Sequence, residues 1–220
     1  ALMLTNGHCM GIGTYRWRGT RLPAYEEVIV NQASSRSVSL FGESNTAVGR
    51  VRTTQVLYGT MTDTDMAIYE LDKTYQEIED TFGVEPLEIS SSIENEGNAI
   101  EIISGYWKRG YSCNYLQTLY KMQEGEWFWV DSIKYSQPGC ETIGGTSGSP
   151  IVDRDSRKVI GVNNTGNNGR RDCSIMNPCE IDEQGNISYD SNGSYGQQVA
   201  QVYSCLTEDF QIDLSLDGCA

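Results

Sequence analysis

Most apolar runs in this chain are short and alternate with polar residues at a period of two. Ser37-Val38-Ser39-Leu40-Phe41, Val51 to Tyr58, Ala99 to Ile103 and Trp127 to Val130 all read this way, which is how strands with one face on a core are written. Gly42, Gly59, Gly105, Gly110, Gly125 and the pair Pro138-Gly139 punctuate them, as turn residues do. The pattern predicts an all-β fold. One stretch departs from it: in Thr74 to Phe82 the residues Tyr75, Ile78 and Phe82 recur at i, i+3 and i+7, and Gly83 follows, so a helix with a glycine stop is expected there. Gln197 to Leu206 stays open between strand and helix, because Val199, Val202 and Leu206 fit either spacing.

Two polar stretches organise the rest. Glu85 to Asn98, with Ser90-Ser91-Ser92 and Glu94-Asn95-Glu96-Gly97-Asn98, is poor in β-branched residues and reads as a connection between two β units. Asn163 to Tyr195 carries Asn, Gly, Asp and Ser throughout and is expected to be an elaborated loop stapled by a local Cys173–Cys179 disulfide rather than a separate domain. Asn163, Asn186 and Asn192 each open an Asn-x-Ser/Thr triplet and are read as polar loop residues.

Charge narrows the partners. The formal net charge is -14, from 30 acidic against 16 basic residues, so a phosphate backbone would be repelled almost everywhere and nucleic acid is not an expected partner. No run reaches the roughly 18 to 20 apolar residues needed to span a bilayer. The seven cysteines (Cys9, Cys113, Cys140, Cys173, Cys179, Cys205 and Cys219) lack the spacing of a zinc site. The chain has one histidine, so a His-rich metal centre is ruled out and no metal is expected. Disulfides and an oxidising compartment, extracellular or periplasmic, follow.

Three strings carry chemistry. Gly145-Thr146-Ser147-Gly148-Ser149-Pro150-Ile151-Val152 sets a serine in a glycine-flanked turn that runs into an apolar strand. Acyl transfer needs this: the hydroxyl must stand clear of its backbone, and turn amides must converge on a developing oxyanion. Leu4-Thr5-Asn6-Gly7-His8-Cys9 holds the only histidine, so His8 is the one candidate for the imidazole base that a serine hydroxyl requires near neutral pH. Asp63-Thr64-Asp65-Met66-Ala67-Ile68-Tyr69 supplies carboxylates at the entrance to an amphipathic strand; such a group holds the imidazole in the productive tautomer.

Together these strings resemble the His, Asp and Ser motifs of the chymotrypsin/trypsin-like serine peptidases, and Gly-Thr-Ser-Gly-Ser-Pro is closest in character to the bacterial glutamyl-endopeptidase-like branch. The family's aspartate motif is Asp, apolar, Ala, apolar, which Asp65-Met66-Ala67-Ile68 matches and Asp63 does not. The resemblance implies a secreted endopeptidase with His8, Asp65 and Ser147 as catalytic residues, the amides of Gly145 and Ser147 as oxyanion hole, polypeptide substrates and no cofactor. It implies two antiparallel six-stranded β-barrels in one peptidase domain, over residues 1–90 and 99–220. Relatives carry about two strands before the histidine motif, so the first barrel is expected to be incomplete and Cys9 to lack its partner. The other six cysteines are then expected to pair as Cys113–Cys140, Cys173–Cys179 and Cys205–Cys219.

By the same resemblance Glu141 and Thr142 line the pocket for the substrate residue at the scissile bond, and Asn164, Thr165 and Gly166 lie along the substrate backbone. Glu141 could select a basic side chain by charge or be a structural carboxylate turned away; both readings stand. Asn163 takes the place of the histidine that glutamate-specific relatives carry, which argues against a preference for Glu. Thr146 replaces the aspartate that in trypsin binds a newly cut N-terminus, so activation by that ion pair is not expected. The alternative is a catalytically silent binding module. An esterase elbow is excluded, since Ser149 stands where that motif needs glycine and the order of the three residues is reversed.

Overall fold

The computed structural model describes residues 1–44, 46–208, 211–217 and 219. Its first half is a sheet built from β1 (Leu2–Thr5), β4 (Val28–Ala33), β5 (Ser37–Phe41), β6 (Ala47–Thr60) and β7 (Met66–Leu71), with a small hairpin of β2 (Tyr15–Trp17) and β3 (Thr20–Leu22) beside it. The order is β1-β7-β6-β4, and β5 pairs with the other part of the long β6. This sheet has five strands rather than six, and among the described residues no pairing joins β1 to β4 to close it. After β7 comes α1 (Tyr75–Phe82). Thr74 caps it through a reciprocal box with Glu77, and Gly83 ends it in the left-handed region at φ 65°. Both ends therefore satisfy the otherwise orphaned backbone groups. Its buried residue, Ile78, packs with Val51 and Leu71.

The second half comprises β8 (Ala99–Ser104), β9 (Arg109–Glu124), β10 (Trp127–Tyr135), β11 (Pro150–Asp153), β12 (Val159–Gly166), β13 (Cys179–Ile181), β14 (Ile187–Ser188) and β15 (Ser194–Gln198). Its pairings run β8-β9-β10-β15-β12-β11 and return to β8, a closed six-stranded barrel, which removes free edges. β13 and β14 extend β9 outward. The barrel interior holds Ile100, Ile102, Tyr115, Ile133, Tyr135, Ile151 and Ile160, each essentially buried. The open tail resolves into β15 followed by a 3-10 turn over Ala200–Cys205, which puts Val199 and Val202 against Leu57, Met66 and Ile68 of the first sheet. The disulfides join Cys113 to Cys140, Cys173 to Cys179 and Cys205 to Cys219, and Cys9 is free.

The two halves are tied by backbone and indoles. Asp63 N–H donates to Phe128 O and Val130 N–H to Asp63 O, at 3.0 and 2.9 Å. Trp127 and Trp129, both 1% exposed, donate their indole N–H to Pro23 O and Met61 O at 2.9 and 3.0 Å. A buried indole takes about 150–250 Å² out of water, worth roughly 4–6 kcal/mol, so these two residues fix the junction strongly. The cleft with the candidate site opens at this junction.

Candidate active site

Pairing of β1 with β7 delivers His8 to Asp65. Thr5 lies opposite Ala67, so the chain leaves β1 toward His8 at the end where Asp65 enters β7. Asn6 anchors the exit, its Nδ2 donating to Asp65 O at 2.9 Å. The next residues form a 3-10 turn, Gly7–Met10. A Cβ on Gly7 would stand 2.0 Å from Thr60 O and 3.1 Å from Asp65 Oδ1, so only glycine lets the turn lie this close to β6. Asp65 is fully buried and gives both oxygens to one residue: Oδ1 accepts His8 N–H at 2.9 Å, and Oδ2 lies 2.6 Å from His8 Nδ1. The His8 side chain keeps 28% of its surface exposed. Burial pulls its pKa down, but the Asp65 carboxylate with its hydrogen bond, helped by the neighbouring Cys9 side chain, more than offsets this, leaving it well above the ordinary histidine value.

Ser147 arrives from the other barrel. The disulfide Cys113–Cys140 holds the start of its loop against β9, and β12 holds the end: Gly148 N–H donates to Asn163 O and Asn163 N–H to Ser149 O, at 2.9 and 2.8 Å. Gly148, at φ 80°, lies where a Cβ would meet Thr5 Oγ1 at 2.2 Å, so the serine turn is seated on the end of β1, beside the His8 turn. Ser147 Oγ donates to Asn164 O at 3.1 Å rather than to His8. The amides of Gly145 and Ser147 have no acceptor among the described residues. Gly145 adopts φ 91°, the left-handed side that favours glycine.

One cavity of about 1020 Å³ gathers His8, Asp65, Gly145, Ser147, Glu141, Thr142, Asn164, Thr165 and Gly166, every residue singled out from the three motifs and the pocket. Glu141 stands exposed at its rim with Oε2 accepting Gly139 N–H at 2.9 Å, and that bond holds its carboxyl below the ordinary range. Several contributors were not foreseen. Cys9 faces the cavity beside His8. Trp127 and Trp129 form part of its apolar wall with Trp17, Leu22 and Ile175. Trp107, in the β8–β9 turn, donates its indole N–H to Gly144 O at 2.9 Å. Glu124, 7% exposed, also lines the cavity. Its Oε1 accepts Met176 N–H at 2.8 Å, and burial raises its pKa despite that bond and the nearby Thr165 hydroxyl. The only sequence signal for these was the tryptophan content of the second β unit; the rest depends on contacts between distant segments.

A sequence profile described as a trypsin-like peptidase domain matches residues 1–162. A search of curated proteins found no match. Among solved structures, the MamO protease domain from Magnetospirillum magneticum, in its apo form, aligns over 94% of this chain and 83% of its own at 11% identity and a TM-score of 0.54. The Rv3671c protease from M. tuberculosis in its active form aligns over 100% and 84% at 12% identity and 0.49. A glutamic acid specific serine protease that uses a histidine triad in substrate binding aligns over 92% and 82% at 15% identity and 0.47. At 11% identity the likeness to the MamO domain speaks for the fold alone; the profile, which spans the His8, Asp65 and Ser147 motifs, shows the family: the chain belongs to the trypsin-like peptidase family and is, as such, a serine-type endopeptidase.

Proposed function

We propose that the enzyme cleaves peptide bonds through an acyl-enzyme formed on Ser147, with His8 as general base and then general acid and Asp65 as the carboxylate that orients it. Asp65 Oδ2 accepts from Nδ1 of His8, which leaves Nε2 as the nitrogen for the serine proton. Ser147 Oγ turns from Asn164 O toward His8, loses its proton there and attacks the scissile carbonyl. The amides of Gly145 and Ser147, free of internal acceptors, receive the oxyanion. His8 then returns the proton to the departing amine, and water hydrolyses the ester by the same route. A substrate backbone lies in extended form along Asn164, Thr165 and Gly166, beside Thr142 and Glu141. Residues 1–90 and 99–220 act as two halves of one domain around the cleft, and the three disulfides fit secretion to an extracellular or periplasmic site.

The observation that carries this reading is the buried Asp65 carboxylate bonded twice to His8 in the cavity that Ser147 lines. A fluorophosphonate probe tests it. The adduct should map to Ser147 and vanish in Ser147→Ala and His8→Ala; labelling elsewhere, or none on folded protein, removes the assignment.

A further inference from the structure

The C=O of Gly144 and the N–H of Gly145 belong to one peptide group, and in a trans peptide they point in opposite directions. Whatever fixes the carbonyl therefore aims the amide. Between two glycines such a group turns over at little steric cost, and a flipped peptide would present a carbonyl oxygen where an oxyanion must bind. Gly145 occupies a left-handed φ of 91°, and its amide has no acceptor among the described residues to hold it from the inside.

The hold comes from outside the cleft. Trp107 Nε1 donates to Gly144 O at 2.9 Å, so the Gly145 N–H is directed away from the indole, while Gly145 itself lines the cavity and Trp107 does not. The indole is itself held. Trp107 N–H donates to the hydroxyl of buried Ser104 at 3.2 Å, the Tyr106 ring meets the indole edge-on at 4.9 Å, and the neighbouring Lys108 ammonium lies 5.6 Å from the Phe41 ring of β5. A Cβ on Gly145 would come within 3.0 Å of Trp107 Nε1 and 3.3 Å of Tyr106 Cδ1, so the glycine and the aromatic pair fit as a unit. Tyr106 is 75% exposed, so the pair contributes little to the core.

We propose that Trp107 is a positioning residue that locks the Gly144–Gly145 peptide with its N–H aimed at the developing oxyanion. The proposal rests on the reading of Gly145 and Ser147 as the oxyanion hole. The perturbation is removal of the indole donor, by Trp107→Phe and by 3-benzothienylalanine at position 107, which keeps the ring shape without an N–H. Both should lower kcat with KM little changed, by between about 5-fold, the value of one net hydrogen bond, and about 100-fold, the loss of a hole donor. Affinity for a peptide aldehyde, which forms a tetrahedral adduct, should fall by the same factor. Binding of a peptide substrate in the Ser147→Ala background should not change with the residue at 107. Tyr106→Leu, which loosens the indole but removes no donor to Gly144, should lower kcat less than either change at position 107. An unchanged kcat in the benzothienyl variant overturns the proposal, as does a loss seen equally in substrate binding. Failure of the underlying reading looks different: Ser147→Ala would then retain activity whatever stands at 107.

Discussion

Asp65→Asn should disable the enzyme without unfolding it. The wild-type carboxylate accepts two bonds from one residue, Oδ1 from His8 N–H at 2.9 Å and Oδ2 from Nδ1 at 2.6 Å. Asparagine has one side-chain oxygen. If that oxygen keeps the backbone N–H, the amide NH₂ faces Nδ1, and because two donors cannot face each other Nδ1 becomes the acceptor. The imidazole proton then sits on Nε2, the nitrogen that should receive the Ser147 proton. The expected loss in kcat is about 10⁴-fold, about 5 kcal/mol of transition-state stabilisation. Above the folded pKa of His8, where the imidazole is neutral, both hydrogen bonds persist in number, so thermal unfolding followed by circular dichroism should change little there beside the kinetic effect. Turnover of a quenched peptide library gives kcat and kcat/KM. Asp63→Asn is the control. Asp63 is exposed and ties the two halves through its backbone, so its side-chain change should alter kcat by no more than about twofold. An Asp65→Asn enzyme that keeps a tenth of its activity, or an Asp63→Asn enzyme that loses it, would refute the assignment.

Other expectations follow from the same geometry. Since Asp65 and Cys9 hold His8 well above its ordinary pKa in spite of burial, and a general base acts only when deprotonated, the acid limb of kcat/KM should lie above about 6.5; a limb at or below that value would contradict it. By linkage, the raised pKa of His8 contributes stability that is complete below the ordinary histidine value and lost as pH rises through the folded one, so Tm should fall over the window in which activity rises. Gly7→Ala drives a Cβ to 2.0 Å from Thr60 O, a backbone atom that cannot swing away, and should cost about 3 kcal/mol, roughly 6–12 °C in Tm for a chain of this size; an unchanged Tm would show the turn can relax. Glu124→Gln keeps an acceptor for Met176 N–H and removes a buried carboxyl that burial disfavours in its charged form. Burial raises the Glu124 pKa, so wild-type stability falls as pH rises through it, and the variant should gain on the order of 1–3 kcal/mol in urea unfolding above that point, with the gain shrinking toward acid pH; a loss at both ends would mean that the carboxylate has a role in holding Met176.

What could be read from the sequence was what local physics and chemistry dictate. Period-two alternation located β5 and the centre of β6 because side chains on a strand alternate faces whatever the partner. Tyr75, Ile78 and Phe82 at helical spacing and the Gly83 stop announced α1 because a helix must turn one apolar face to the core and end its own backbone. His8, Asp65 and Ser147 stood out because acyl transfer admits few residue types and the chain has a single histidine. The elements that were not legible depend on a partner. The hairpin of β13 and β14 lies within the polar stretch 163–195 and pairs with β9 through backbone, so it needs no apolar period. Gln197 to Leu206 fitted strand and helix alike, and the chain uses both in turn, since β15 closes the barrel while the 3-10 turn carries Val202 to the first sheet.

The same division runs through the site. A nucleophile, base and carboxylate are chosen for what they are, and their types survive as motifs. The groups that give them geometry are chosen for where they are. Trp107 is 37 residues from Gly144, and Glu124 and Met176 meet across 52; neither indole nor carboxyl differs locally from any other in a strand or a turn. Gly7 and Gly148 show how the two kinds of information join. Each flanks a motif residue and would be taken for turn chemistry alone, yet each is also the point where the motif touches another strand, Thr60 in one case and Thr5 in the other. The closeness of His8 to Asp65 and of the Ser147 turn to the His8 turn therefore depends on two missing Cβ atoms. Activity should be more sensitive to a methyl group at either glycine than to larger changes on the exposed polar loops.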